Sequence, residues 1–239
     1  MNEKEYLEIY DATQFDSPLM TVDSVLLTIK DNQLCVLLAK RANHPFIGQW
    51  GLAGGFIDTA KDKSIEDCAK RKLVEKTGVV PSYLNKLTVQ GDPDRDPRGW
   101  SVSVAYYALI AHQACEAHIE DVSEVEWVTL ESLASTSLEL AFDHLTIIDK
   151  ALVQLKVDAS RTLIVAHALP THFTLGELQK AHEIILGCSI EKKSFRRRIE
   201  KADVLEDTGE MSKAAGRPAK LFKVKSELDA YSFRCGLDL

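Results

Sequence analysis

The sequence predicts an α+β protein in two parts, an α/β/α sandwich over residues 1–158 and a smaller helical unit with a hairpin over residues 159–239. Three observations predict it. In the first part β-rich runs outnumber long helical patterns and do not alternate with them as βαβ repeats do. A single glycine-flanked amphipathic helix interrupts those runs at residues 64–77. The second part reads helix, short turn, basic helix and strands, and its charge changes sign. From Ser160 on there are 14 Lys and Arg against 11 Asp and Glu, a balance of +3; residues 1–159 hold 15 and 25, a balance of −10.

The 239 residues, 45% hydrophobic and 27% charged, describe an ordinary globular protein long enough for two units. No run has the length of a membrane span, and the acidic start Met-Asn-Glu-Lys-Glu-Tyr is not a signal peptide pattern. The five cysteines are scattered, odd in number and without Cys-x-x-Cys spacing, which excludes a disulfide framework or zinc site and predicts a reducing cytoplasm. The acidic first part cannot attract a polyanion as a whole; the basic second part can.

Residues 1–19 are polar and read as a loosely held leader. Residues 21–29 and 33–40 are β-rich runs separated by Lys30-Asp31-Asn32, a hairpin signal. The loop 41–49 leads through Trp50-Gly-Leu-Ala-Gly-Gly-Phe56 to the helix at 64–77. There Ser64 suits the N-cap, Glu66 and Asp67 sit where the helix dipole favours anions, and Gly78 suits a left-handed C-cap. Ile65, Cys68, Ala69 and Leu73 form its apolar face. Strands are predicted near 84–91 and 101–110, with the charged loop 92–100 between them, then a strand at 125–130 and a short helix at 131–134. A helix over 142–157 places Leu145, Ile148, Leu152 and Leu155 on one face with Asp143 as N-cap. Residues 160–172 read as a linker strand broken at Pro170.

Gly54 to Val80, a glycine loop, a helix and a stop, resembles the Nudix box. The family pattern is Gly, five residues, Glu, seven residues, then Arg-Glu-aliphatic-any-Glu-Glu-any-Gly. The order of strands over roughly residues 20–155 is similar to the Nudix fold as well. Aligned through Arg71 and Gly78, the box reads Arg71-Lys72-Leu73-Val74-Glu75-Lys76, and the charge at its three carboxylate positions goes from −3 to +1. The loop glutamate falls on Lys63, or is displaced because the loop is two residues longer.

The resemblance implies hydrolysis of nucleoside diphosphates linked to another group, with box glutamates holding divalent ions. Magnesium demands hard oxygen ligands, and positions 72, 75 and 76 share one helical face. Lys72 and Lys76 therefore repel the ion that the family needs, so no metal, no cofactor and no catalysis are expected. A pocket without its metal can still bind its ligand. The motif Asp96-Pro-Arg-Gly-Trp100 resembles Nudix proteins that handle ADP-ribose, so ADP-ribose is the expected effector. Arg95 and Arg98 are candidates to clasp phosphate or ribose oxygens and Trp100 to stack on adenine. Arg41, Gly54, Gly55, Phe56 and Glu75 complete the candidate ligand site. Arg41 reads equally as a solvated loop arginine, Phe56 as a core aromatic and Asp92 as a turn residue.

The second part begins with a helix near 173–186, capped by Thr174, with Leu178, Ala181, Ile184 and Ile185 inward. Gly187-Cys-Ser189 is a turn, and 191–201 a second helix anchored by Phe195 and Ile199. Its five basic residues within seven positions are Lys192, Lys193, Arg196, Arg197 and Arg198. Extended pieces come next, from Leu205 and over 217–225. Helix, turn, basic helix and a basic wing resemble a winged helix-turn-helix. Thr174, Lys192, Lys193, Ser194, Arg196 and Arg197, with Arg217 and Lys220 of the wing, are the candidate DNA-binding residues; an exposed basic helix is also an ordinary solvated face. No aromatic stacking sheet recommends RNA.

A Nudix-like domain with an eroded box, joined to a winged helix, resembles the Nudix-related transcriptional regulators of NAD metabolism. The resemblance implies a cytoplasmic homodimer that represses NAD-biosynthesis or salvage genes from a palindromic operator and is released by ADP-ribose. Two readings compete with it. One is an active Nudix hydrolase with metal ligands relocated to Glu66, Asp67, Glu75 or Asp92; the other is a regulator that senses a different nucleotide.

Overall fold

The computed structural model describes residues 1–117, 119–135, 138–212 and 218–225. Strand β1 (Leu19–Lys30) is the axis of a seven-stranded sheet, and its residues 21–28 are all buried because both faces of the sheet are covered. It turns into β2 (Gln33–Arg41) through Asp31 (φ 50°) and Asn32 (φ 61°). Two left-handed residues make the hairpin turn whose twist matches that of the flanking strands. On its other side β1 pairs in parallel with β6 (Ser101–Leu109), and part of it also pairs with β4 (Ala53–Phe56). Strand β2 carries β3 (Trp50–Gly51) and β7 (Val122–Thr129). Strand β5 (Asn85–Asp92) pairs with β6 and forms the opposite edge.

The leader contains a short helix, α1 (Glu3–Ile9), closed by a capping box between Asn2 and Glu5; all its residues are exposed. Helix α2 (Ile65–Thr77) has the caps read from the sequence: Ser64 Oγ accepts from the Asp67 N–H at 3.1 Å, and Gly78 sits at φ 70°. Its buried face is Cys68, Ala69, Leu73 and Thr77, whereas Ile65 in the first turn stays exposed. Helix α3 (Leu130–Ser135) is short, and α4 (His144–Arg161) lies on the other side of the sheet.

Three expectations fail on α4 and just beyond it. Asp143 makes no side-chain cap, because its carboxylate is held by Arg95. The buried stripe is His144, Ile147, Ile148, Ala151, Leu155 and Ala159, so Leu145 lies half exposed. The segment after α4 is a buried 3-10 turn, Ile164–Ala168, instead of a linker strand. Its apolar residues have a core to enter, which extended backbone would leave in solvent.

Helix α5 (Leu175–Leu186) starts with a capping box between Thr174 and Glu177 and ends at Gly187 with φ 73°. Ile184 is only partly buried; His182 takes the inward place. Helix α6 (Lys192–Ala202) is capped by Glu191, and strands β8 (Leu205–Met211) and β9 (Lys220–Val224) make a two-stranded wing. Phe173 and Phe222 exchange backbone hydrogen bonds of 2.9 and 2.8 Å, which tie the wing to the start of α5. One apolar cluster runs from Val25, Leu38 and Leu109 through Ile148 and Leu155 to Leu178, Phe195 and Ile199. The helix-turn-helix is thus packed onto the sandwich through α4, which continues unbroken past residue 158.

Candidate effector pocket and nucleic-acid interface

The floor of the pocket is a buried polar network built on Asp23 of β1. Gly54 of β4 lies opposite it in register, and any Cβ there would overlap Asp23 Oδ1 and the Val22 carbonyl. Ser103 Oγ donates to Asp23 at 2.6 Å, and Arg95 Nη2 lies 3.4 Å away. The Leu52 N–H donates to His144 Nδ1 at 2.9 Å, which leaves the ring proton on Nε2, 3.4 Å from Asp23. Burial alone raises a carboxyl pKa, yet His144, Ser103 and Arg95 together hold Asp23 below its ordinary value. Arg95 also grips Asp143 at 2.8 Å and Ser101 Oγ at 3.2 Å, so it clamps the start of α4 to the sheet.

Above this floor opens a cavity of about 280 Å³. Arg41, Arg98, Lys72 and Lys76 face it together with Phe56 and Phe142. Asp96 holds the Arg98 fork at 2.6 and 2.9 Å, and the guanidinium lies over Phe56 with 4.8 Å to the ring centroid. Arg41 lies 5.0 Å over Phe142, and its Nε donates to the Pro45 carbonyl at 2.7 Å. The methylenes of Lys72 rest on Gly55. Lys76 has no ion-pair partner among the described residues; burial, then Arg41 and Lys72, push its pKa below the ordinary lysine value. An anion here would relieve that strain, whereas a divalent cation would add to it.

The residues present do not fit a magnesium site. Glu75, the box carboxylate that remains, turns away to Arg71 (3.0 and 3.1 Å) and Lys72 (3.3 Å) and does not line the cavity. Arg71 in turn binds Asp62 through two contacts of 2.6 Å, fastening the glycine loop to α2. Glu66 pairs with Lys70 at 2.6 Å, Asp67 sits in the capped first turn, and Asp92 Oδ1 accepts two loop N–H groups at 2.8 Å. Among the described residues no three His, Cys, Asp or Glu side chains are grouped to hold a metal.

On the helix-turn-helix, Phe195 and Ile199 are buried and hold α6 on α5. Lys192, Lys193, Arg196 and Arg197 are exposed on the outer side, and Ser194 is half-buried. The matches to two family models are decisive. One, described as a NUDIX domain, covers residues 19–150; the other, described as the NrtR DNA-binding winged helix domain, covers residues 165–224.

The chain belongs to the NrtR family. It is 42% identical over 222 residues to the ADPR responsive transcriptional repressor NtrR of Acinetobacter baylyi, covering 93% of this chain and 88% of that one. The structure of Shewanella oneidensis NrtR complexed with a 27mer DNA superposes with a TM-score of 0.84 at 49% identity, over 92% of this chain and 99% of that one. The NUDIX domain of the same protein complexed with ADP ribose matches at 51% identity with a TM-score of 0.63, over 65% of this chain and 99% of that one.

Of the ligand candidates, Arg41, Gly54, Gly55, Phe56, Arg95 and Arg98 line the cavity. Arg95 does so from beneath, committed to two carboxylates. Trp100 is 50% exposed and lies against Gly91 instead of the cavity. Asp23, Asp96, Phe142 and His144 also line the cavity and were missed. Asp23 left a signal: a carboxylate inside the apolar run 21–29 demands buried partners. In the NrtR winged helix, Thr174 Oγ1 is occupied by its cap, accepting from the Glu177 N–H at 3.1 Å. Among the described residues of the wing, Lys220 pairs with Asp207 at 2.7 Å and Lys223 with Glu206 at 3.2 Å, so acidic β8 offsets part of the charge of β9. Arg217 lies outside the described residues.

Proposed function

We propose that this NrtR-family chain is a homodimeric cytoplasmic repressor of NAD-biosynthesis or salvage genes that leaves a palindromic operator when ADP-ribose enters the cavity. The observation that carries the reading is the pair Lys72 and Lys76, which face the cavity at positions where the box has metal-binding carboxylates. The two lysines, with Arg41 and Arg98, supply the positive charge that a pyrophosphate requires and no ion to activate water. At about 280 Å³, just under the range of about 300 to 1,000 Å³ for ligand pockets, the cavity has room for part of a nucleotide such as its pyrophosphate. Such a site offers no metal-assisted hydrolysis.

The DNA half presents Lys192, Lys193 and Arg196 to phosphates, and Ser194 and Arg197 to base edges or phosphates according to the docking angle. Two copies place two such helices about one helical turn of DNA apart. The path between the sites is α4: its N-cap residue Asp143 and first residue His144 belong to the network around Asp23 and Arg95, and its second half packs into the core shared with α5. An anion that competes with Asp143 for Arg95, or with Asp96 for Arg98, changes the seat of α4. By linkage, DNA must weaken ADP-ribose as much as ADP-ribose weakens DNA.

The test is an operator titration with and without saturating ADP-ribose, beside an assay for AMP release in magnesium. Loss of operator affinity without AMP is expected. Unchanged operator affinity defeats the repressor-release reading, and AMP production abolished by Glu75→Gln returns the relocated-ligand hydrolase.

A further inference from the structure

A second cavity, of about 640 Å³, opens where the sandwich meets the winged helix. No residue lines both it and the effector pocket. Thr21 lines the pocket at one end of the parallel β1–β6 pair, and Ile110, whose N–H donates to the Leu27 carbonyl, lines the second cavity at the other. The two lie about 20 Å apart along the strands. Tyr83, Asn85 and Gln113 of the sandwich, Asp158 of α4, His167 of the 3-10 turn and Phe173 before α5 all face the second cavity. Its volume falls within the range of ligand pockets, and a boundary between domains is where such pockets preferentially form.

Electrostatics exclude an ionic occupant. Asp158 accepts from the Tyr107 hydroxyl and from Gln154 Nε2 at 3.0 Å, so both its oxygens are engaged. Lys223, at the winged-helix side of the lining, is held by Glu206 at 3.2 Å. The effector pocket gathers cations; this cavity has none placed to neutralise a phosphate. It offers rings and hydrogen bonds instead. The Tyr83 and His167 rings meet with their centroids 4.3 Å apart, and Phe173 is buried. The Tyr83 hydroxyl accepts from the Leu109 N–H at 2.7 Å, and its own proton has no acceptor among the described residues. Asn85 Oδ1 and the side-chain amide of Gln113 have no hydrogen-bond partner there either. Such an amide meets a base edge with a donor and an acceptor together, as Asn and Gln do with adenine. We propose that this cavity binds a neutral nucleoside, its base beside Tyr83 and His167 and its edge on Asn85 and Gln113. Phe173 exchanges backbone hydrogen bonds with Phe222 of the wing, so an occupant touches the sandwich and the DNA-binding unit at once. Nucleoside and operator are then linked through the seat of the winged helix, separately from the effector pocket.

Adenosine, guanosine, cytidine and uridine, and their 5′-monophosphates, are titrated by calorimetry into the full-length protein, with and without saturating ADP-ribose. At least one nucleoside is expected to bind saturably in both conditions, and its monophosphate about tenfold more weakly. Asn85→Leu removes the amide, and Thr171→Trp fills the cavity from an exposed position of its lining. Each is expected to weaken the nucleoside about tenfold, the size of one lost hydrogen bond, while ADP-ribose binding and the melting temperature stay as in the parent. Absence of saturable binding by all four nucleosides overturns the proposal. So does displacement of the nucleoside by ADP-ribose, a monophosphate that binds as tightly as its nucleoside, or parental affinity in both variants. ADP-ribose titrated alone judges the effector pocket, so either reading can fail without the other.

Discussion

The cavity and helix α6 both gather cations, under opposite physical conditions. In the cavity Arg41 and Arg98 lie over phenylalanine rings beside Lys72 and Lys76, and the arginines are steered by backbone or carboxylate partners. On α6 Lys192, Lys193, Arg196 and Arg197 stand in solvent. Charges in a partly buried, preorganised site act through fixed geometry and are screened little. Exposed charges act through the field they sum to and through released counterions, so salt governs them. On the proposed reading, one protein recognises two anions by different means: a small one by shape, a long one by charge density.

The sharpest test of the buried side removes its centre. Asp23→Ala leaves Arg95 and His144 buried without their carboxylate. Breaking such a network from one side costs about 3–5 kcal/mol, and denaturant unfolding reads it. An Asp23→Ala protein as stable as the parent would mean that Asp23, Arg95 and His144 are not coupled. Lys76→Ala is next. Losing one charge-assisted contact is expected to weaken ADP-ribose binding by about 1.5–3 kcal/mol, seen by calorimetric titration at two salt concentrations. Operator affinity without ADP-ribose stays unchanged, and an equal loss in both would dissolve the distinction between the two regions.

Much of the frame was legible because its signals are local. Ser64 with Gly78 and Thr174 with Gly187 bracket α2 and α5 as caps, within a turn of the helices they close. The box lysines were visible as well, since register within one helix is set by sequence spacing. What could not be read is set by partners far along the chain. Asp143 looks like an N-cap until Arg95, 48 residues away, takes its carboxylate. Trp100 reads as a stacking ring, and only the pairing of β5 with β6 shows that it lies on Gly91. The wing looks basic from β9 alone; the antiparallel pairing sets Glu206 and Asp207 of β8 against it.

His182 extends the comparison, since the helix-turn-helix has a buried ionisable group of its own. Its Nδ1–H donates to the Leu178 carbonyl at 2.8 Å, its ring meets Phe195 of α6 edge-on at 5.3 Å, and Nε2 has no hydrogen-bond partner among the described residues. Burial pulls its pKa down to about 4 from 6.5. The unfolded chain therefore takes up a proton below pH 6.5 that the folded chain refuses, and stability falls as pH drops toward 4. The expected loss is about 2 kcal/mol at pH 5 relative to neutral pH. A His182→Leu protein should lack this component, so parallel slopes for the two proteins between pH 7 and 5 would assign the acid sensitivity elsewhere.

The smallest effect separates the two kinds of cation most cleanly. Arg197→Ala removes one exposed charge from α6 and nothing from the core. If Arg197 meets a phosphate, operator affinity falls by about 1 kcal/mol, and the slope of log affinity against log salt shrinks by about 0.9, equally on operator and unrelated DNA. If it reads a base edge, the loss is about 1–3 kcal/mol, confined to the operator, with the slope unchanged. Either outcome leaves ADP-ribose binding where it was, because the cavity takes no charge from α6. An Arg197→Ala protein with full operator affinity and an unaltered salt slope would move the DNA contact off this face of the helix.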